Sequence, residues 1–128
     1  MQRRDFIYLS AYTAAALAMP GAAGCRSGHK DVESQPFLFS HLADVKAVVN
    51  TGNAYRKKHP DEDHKGKLTG LLLAGTTLQS SSDSEAIRQM LIEKVRNDFI
   101  KGNMDIVAGW VLSLTEARQC ALFSILYA

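Results

Sequence analysis

Apolar residues recur three and four positions apart between Val45 and Tyr55, which is the spacing of one face of a helix. Asp44 is the expected N-cap of this helix, and Pro60 closes the segment. Gly52 falls on the apolar face. It either lets another backbone approach closely or merely loosens the helix. The pattern therefore predicts a first helix with a small residue at its centre.

Two further helical segments follow along the chain. A short one is expected from about Glu62 to Ala74, with Gly75 as its stop. After a Ser/Thr-rich loop, Ser82-Asp83-Ser84-Glu85 has the spacing of a capping box, in which the Ser82 and Glu85 side chains bind each other's backbone amides. The helix that it starts ends at Gly102-Asn103 and carries one apolar stripe: Ile87, Met90, Leu91, Val95 and Phe99.

The last third of the chain combines an extended stretch with an apolar helix. Residues 104–112 predict an extended connector, a lone short strand that has no partner strand unless it pairs with a neighbouring chain. Ser113-Leu114-Thr115-Glu116 is a second capping box, and Ala117 to Tyr127 is apolar nearly all round. Such a helix belongs in the centre of a bundle or under a partner. The predicted fold is all-α, a small bundle of about four helices with the last as its core.

The first 25 residues have the layout of a bacterial export signal. Arg3 and Arg4 precede an apolar stretch from Phe6 to Met19, and small residues lead to Cys25. The apolar stretch is shorter than the roughly 20 residues that span a bilayer. The predicted divisions are therefore an export signal over 1–24, a lipidated cysteine with a flexible tether over 25–36, and a helical domain over 37–128.

Arg3-Arg4-Asp5-Phe6-Ile7 resembles the twin-arginine signal, in which paired arginines, any residue, Phe and an aliphatic residue follow one another. An ordinary secretory signal with two arginines is the alternative. Cys25 stands where a lipoprotein signal has its lipid-accepting cysteine; the competing interpretation is cleavage near Ala22 or Gly24 to a soluble protein. Cys120 is expected to be a buried small hydrophobe, although an unacylated Cys25 could form a disulfide with it.

Size and charge exclude several classes of protein. The 104 residues that remain after residues 1–24 suit one domain. The formal charge of +2 falls to +1, with 13 basic and 12 acidic residues, so no basic field favours nucleic acid. We find no serine-nucleophile elbow, glycine-rich phosphate loop or haem motif, and we predict no catalytic residues and no cofactor. A protein that is not an enzyme is the expectation.

Three short segments remain as candidates for binding. His59, Asp61, Asp63 and His64 could hold a divalent cation, but an acidic start to a helix is the simpler interpretation. Arg56-Lys57-Lys58 is either a solvated helix end or a contact to lipid headgroups. Trp110, with Val111 and Leu112, either caps the bundle core or anchors a protein interface.

One resemblance joins these features. It rests on these residues: Ala54-Tyr55-Arg56, His59-Pro60, Gly109-Trp110-Val111-Leu112-Ser113 and Thr115-Glu116-Ala117-Arg118. With the signal, they resemble small exported helical proteins of bacteria that are known chiefly by a twin-arginine signal. In layout the chain is also similar to the small subunits of membrane-associated flavin-dependent sugar and polyol dehydrogenases, of the gluconate type.

The resemblance implies a function through partners. Twin-arginine export carries proteins that are already folded, so a chain without a cofactor can accompany one that has it. The expectation is a non-catalytic accessory subunit or escort of a periplasmic oxidoreductase. Its expected partners are the twin-arginine export machinery, a larger flavin-dependent dehydrogenase subunit and, through a lipid at Cys25, a membrane. The alternatives are a self-sufficient structural or binding lipoprotein and a small metal-binding protein.

Overall fold

The computed structural model describes residues 32–79 and 82–127, so Arg3, Arg4, Phe6 and Cys25 lie outside the described residues. The helices are α1 (Phe37–Ser40), α2 (Val45–Lys58), α3 (Lys65–Leu73), α4 (Ser84–Lys101) and α5 (Leu114–Tyr127). Two strands, β1 (Met104–Val107) and β2 (Trp110–Ser113), and two 3-10 turns, Val32–Ser34 and Pro60–Glu62, complete the order. The prediction of an all-α bundle of about four helices is confirmed, with α1 as one additional turn.

Helix α5 is the centre of this bundle. It packs on α2 over most of its length and also contacts α3, α4 and the Val32–Ser34 turn. Ala117, Cys120 and Leu122 are fully buried, because neighbours cover the helix on several sides. Burial of a leucine side chain such as Leu122 contributes about 1.5–3 kcal/mol, so this helix is a main source of the core's stability. Cys120 is the buried small hydrophobe that the sequence predicts, with a free thiol.

Gly52 is the point where α2 and α5 come closest. A Cβ atom built at this residue would lie 2.0 Å from the carbonyl oxygen of Cys120 and 2.8 Å from the Cβ of Ser124. No side chain fits in that space, since nonbonded carbon and oxygen atoms do not approach so closely. Of the two roles that the sequence leaves open for Gly52, the structure shows the close backbone approach.

Several predicted helix ends are confirmed. The Ala47 N–H donates to the Asp44 carboxylate at 2.8 Å, which caps α2. At the start of α5 the Glu116 N–H donates to Ser113 Oγ at 3.0 Å, and the Ser113 N–H donates to Glu116 Oε2 at 3.2 Å. These two bonds are the reciprocal capping box. Gly102 ends α4 in the left-handed conformation, with φ of 76°.

Two helix starts differ from the prediction. Asp83, not Ser82, caps α4, because the Ala86 N–H donates to the Asp83 carboxylate at 3.2 Å while Ser82 Oγ accepts from the Gln79 N–H. The second helix begins at Lys65 rather than near Glu62. Its cap is His64, whose Nδ1 accepts from the Gly66 N–H at 3.1 Å, and Pro60–Glu62 forms a separate 3-10 turn.

The expected lone strand is wrong, because residues 104–113 form a β-hairpin. Strand β1 pairs antiparallel with β2, with Ile106 opposite Val111 and Val107 opposite Trp110. Ala108 and Gly109 form the two-residue turn, with φ of 51° and 84°. Positive φ at both turn residues is what a tight hairpin turn requires. The turn could not be predicted from the sequence, because alanine rarely adopts a positive φ.

Residues 32–36 belong to the folded body, whereas the sequence analysis assigned them to a flexible tether. Glu33, Ser34 and Pro36 are buried, and the Gln119 side-chain amide donates to the Gln35 carbonyl at 3.0 Å. This short segment packs across α4 and α5. Among residues 32–79 and 82–127, no helix has the length and hydropathy needed to cross a bilayer.

Candidate functional site

A partly buried ion pair holds the Pro60–Glu62 turn against α5. Arg118 binds the Glu62 carboxylate with both sides of its guanidinium, at 3.1 Å from Nε to Oε2 and 2.9 Å from Nη2 to Oε1. The Tyr55 hydroxyl donates to Glu62 Oε2 at 2.7 Å. Two-pronged Arg–carboxylate pairs are the geometrically most specific ion pairs. The turn is thereby fixed to both α2 and α5.

The electrostatics of this cluster favour one protonation state. The Arg118 hydrogen bonds hold the pKa of Glu62 below its ordinary value, and Glu62 in turn raises the pKa of Arg118. Burial, followed by the neighbouring Glu62, raises the pKa of Tyr55 far above its ordinary value. At neutral pH the carboxylate is therefore ionised and the phenol is protonated. Because both carboxylate oxygens accept hydrogen bonds from the protein, the arrangement suits structural fixation.

A second polar group attaches the hairpin to the end of α2. His59 Nε2 lies 3.0 Å from Asp105 Oδ2, and the Lys58 ammonium donates to Asp105 Oδ1. The His59 ring lies on the Tyr55 ring at 4.3 Å between centroids. Although burial raises the pKa of Asp105, the hydrogen bonds from Lys58 and His59 bring that pKa below its ordinary value. Asp105 is thus the ionised clamp that sets the orientation of β1.

The four candidate metal ligands are not brought together. His59 binds Asp105, Asp63 accepts from Arg56 Nε at 2.6 Å, and His64 caps α3. Asp61 is exposed. Within residues 32–79 and 82–127, no group of three or more His, Cys, Asp or Glu side chains is placed to hold a metal ion.

Two of the three basic residues in the run Arg56-Lys57-Lys58 form ion pairs with residues of this protein. Arg56 pairs with Asp63 and Lys58 pairs with Asp105, while Lys57 is exposed.

The hairpin has one buried and one exposed face. Since side chains that are paired across two strands lie on the same face, the register places Ile106 and Val111 together. Their side chains are 66% and 60% exposed, and Met104, two residues before Ile106, is also exposed. We call Met104, Ile106 and Val111 the outer hairpin face. An apolar strand pair that faces water is unusual enough to indicate a binding surface.

The three residues predicted to bind a partner separate in the structure. Val111 lies on the outer hairpin face. Trp110 is paired with Val107 on the opposite face of the hairpin, is 37% exposed, and packs edge-to-face on Phe39 with 4.8 Å between ring centroids. Leu112 is only 4% exposed and belongs to the core, so it is removed from the candidate binding residues. Trp110 therefore covers the core at Phe39 and also remains partly accessible to a partner.

The exposed edge of β1 is closed by side chains. The Ile106 N–H donates to Asp105 Oδ1 at 2.8 Å, and the Ile106 carbonyl accepts from Lys58 Nζ at 3.4 Å. These bonds occupy backbone groups that another strand would otherwise pair with. A shallow depression between Lys58, Gly102 and the outer hairpin face lies alongside. Contact through side chains is thus favoured over addition of a strand at this edge.

Sequence reasoning missed Glu62, Arg118 and Asp105 as the residues that organise this region. Arg118 is 56 positions from Glu62, and Asp105 is 46 positions from His59, so no local pattern joins them. One signal was available: Asp105 is the single charged residue within the apolar strand pattern of residues 104–112. A charge at such a position usually has a partner.

Comparison with known proteins gives no match: no protein-family model, curated protein or solved structure is similar to this chain.

Proposed function

We propose that this protein is an exported, non-catalytic accessory subunit of a periplasmic oxidoreductase, to which it supplies an export signal and a membrane anchor. The outer hairpin face is its docking surface for the larger subunit. Twin-arginine recognition of Arg3, Arg4 and Phe6 carries the assembled pair, and a lipid on Cys25 holds it at the membrane. The partner's flavin supplies the redox chemistry.

The observation that carries this proposal is the contrast between the two faces of the hairpin. Beneath it, Asp105 is ionised and held by Lys58 and His59, which fixes the hairpin to α2. Above it, Met104, Ile106 and Val111 are apolar and exposed. Since apolar side chains gain about 25 cal/mol for each Å² removed from water, a rigid apolar face is suited to bind a protein surface.

The polar clusters support a binding role rather than a catalytic one. Glu62, Arg118 and Tyr55 bond to one another, and Asp105 bonds to its two neighbours on α2. Catalytic groups need a free position within hydrogen-bond reach of a substrate. Leu112 and the central part of α5 lie in the core and are not accessible to a partner. We therefore limit the proposed docking surface to the outer hairpin face.

The test is co-purification from a host that expresses the natural partner. Wild-type protein, expressed with its own signal, is expected to bring down a larger flavoprotein that is recognised by its flavin absorbance. Val111→Asp places a charge on the outer hairpin face and is expected to abolish that association. Val45→Asp is the matched control, because Val45 is 64% exposed at the start of α2 and Val111 is 60% exposed. Recovery of the wild-type chain alone would contradict the proposal.

The alternative of a self-sufficient binding lipoprotein is favoured by one observation, a cavity between α4 and α5 that has no part in the docking surface. In that case deletion of the gene would leave export of other proteins unchanged. Replacement of Arg3 and Arg4 by lysine also distinguishes the accessory subunit from the self-sufficient lipoprotein. The accessory function predicts that export of this protein and of the flavoprotein fails together.

A further inference from the structure

The cavity lies where the segment 32–37 crosses α4 and α5. Its volume is about 100 Å³. Most of its wall is apolar and is formed by Val32, Phe37, Leu91, Ile92 and Val95. An apolar cavity of about 150 Å³ is large enough to bind benzene. This cavity therefore suits an organic molecule of about five non-hydrogen atoms, on the same scale.

One hydrogen-bond acceptor on α5 lines this apolar wall. Gln119 lines the cavity and is 2% exposed. Its amide nitrogen donates to the Gln35 carbonyl at 3.0 Å, whereas no group in the described part of the chain donates to its Oε1. Gln119 Oε1 is not among the described side-chain atoms that are fully enclosed and without a partner, so it keeps accessible surface. An accessible acceptor at the wall of a cavity can accept from a donor that enters the cavity.

Glu116 lies one helical turn before Gln119, also lines the cavity and is 5% exposed. Its carboxylate is engaged at the start of α5, because Oε2 accepts from the Ser113 N–H at 3.2 Å. Residues three positions apart lie on the same side of a helix. Glu116 therefore forms part of the cavity wall, and Gln119 supplies the acceptor.

The apolar wall decides the charge of the ligand. Arg88 lines the cavity as well, and its guanidinium lies over the Phe37 ring at 4.1 Å from the centroid. A charged ligand would lose its hydration against the apolar side chains, and burial of a charge costs far more than burial of a neutral head that is hydrogen-bonded. A neutral ligand is therefore favoured.

We propose that this cavity is a binding site for a small neutral molecule with an apolar body and a hydrogen-bond-donating head, an alcohol or a primary amide. The head donates to Gln119 Oε1, and the apolar body contacts Leu91, Ile92 and Val95. Because Val32, Gln35 and Phe37 form one wall, an occupied cavity also holds the N-terminal segment on the bundle. This site is separate from the outer hairpin face and does not depend on the accessory function.

The experiment is an NMR titration of the isolated full chain, carrying Cys25→Ser to prevent acylation, with three probes of the same length. The probes are 1-butanol, butylammonium and butyrate. Saturable shifts in the backbone amides of residues 88–95 and 116–119 are expected with 1-butanol, at least tenfold tighter than with either charged probe. Absence of saturable shifts, which means that the cavity holds only water, would overturn the proposal, as would equal binding of all three probes.

Two variants and one control locate the binding. Gln119→Leu removes the proposed acceptor and is expected to weaken 1-butanol binding about fivefold, the usual effect of one hydrogen bond. Gln89→Leu makes the same change at an exposed position of α4 and is expected to leave binding unchanged. Ile92→Phe fills the cavity from its partly exposed wall and is expected to abolish binding. Unchanged binding in a folded Ile92→Phe protein would refute the site.

Discussion

Replacement of Gly52 by alanine tests the packing of α2 on α5, because two effects of opposite sign compete there. Alanine in a helix interior is favoured over glycine by about 1 kcal/mol. Against this, the new Cβ would lie 2.0 Å from the Cys120 carbonyl oxygen and 2.6 Å from its carbonyl carbon. Those are backbone atoms of a buried helix and cannot rotate aside. The two helices must therefore separate.

Overpacking of this kind costs about 1–3 kcal/mol, and the main-chain contact places Gly52→Ala at the upper end of that range. After the gain in helix propensity is subtracted, we expect the free energy of unfolding to fall by about 2 kcal/mol. Gly70→Ala is the matched control, because Gly70 lies within α3 and a Cβ there meets nothing within 4 Å. This control is expected to stabilise the protein by about 0.5–1 kcal/mol.

Urea denaturation followed by far-ultraviolet circular dichroism measures both changes. The predicted result is opposite signs: a lower midpoint for Gly52→Ala and a higher one for Gly70→Ala. If the two substitutions stabilise the protein equally, α2 and α5 do not meet at Gly52, and the packing described above is refuted.

Three further predictions concern a helix cap, acid stability and a buried thiol. Asp83→Ala should lower the free energy of unfolding by about 1 kcal/mol, and Ser82→Ala by less; equal losses in urea denaturation would restore Ser82 as the cap. The folded-state pKa values of Glu62 and Asp105 lie below their ordinary values of 4.5 and 3.8, so their stabilisation is complete above those values and is lost as pH falls through the folded-state values. Glu62→Gln should therefore show a shallower loss of stability in acid, and an unchanged acid limb in pH-dependent denaturation would contradict the Arg118 pairing. Burial raises the pKa of Cys120, so in the Cys25→Ser protein a thiol reagent should react only on unfolding; rapid reaction of the native protein would show that α5 is not buried.

The helices were predictable because their signals are local. Asp44, the second capping box and Gly102 each act within four residues of a helix end, and α5 could be placed at the centre because it is apolar nearly all round after Glu116. The cap of α4 was displaced by one residue because Ser82 and Asp83 are both good caps. The loop geometry, in which Ser82 binds the Gln79 N–H, decides between them.

The hairpin and the polar clusters were not predictable in the same way. Pairing of β1 with β2 depends on a turn with alanine at positive φ, which local preferences disfavour. Asp105, Glu62 and Arg118 acquire their roles only after helices from distant parts of the chain come together. The sequence identified Trp110 and Val111 as candidates for binding, but the register was needed to separate exposed Val111 from buried Leu112.

The most direct test of the accessory function compares the flavoprotein recovered with Val111→Asp and with Val45→Asp. Both proteins should be exported and folded, as judged by circular dichroism and by their amount in the periplasm. We expect Val45→Asp to retain the flavoprotein at the wild-type ratio and Val111→Asp to lose it. Equal recovery of the flavoprotein with both variants would contradict docking through the outer hairpin face.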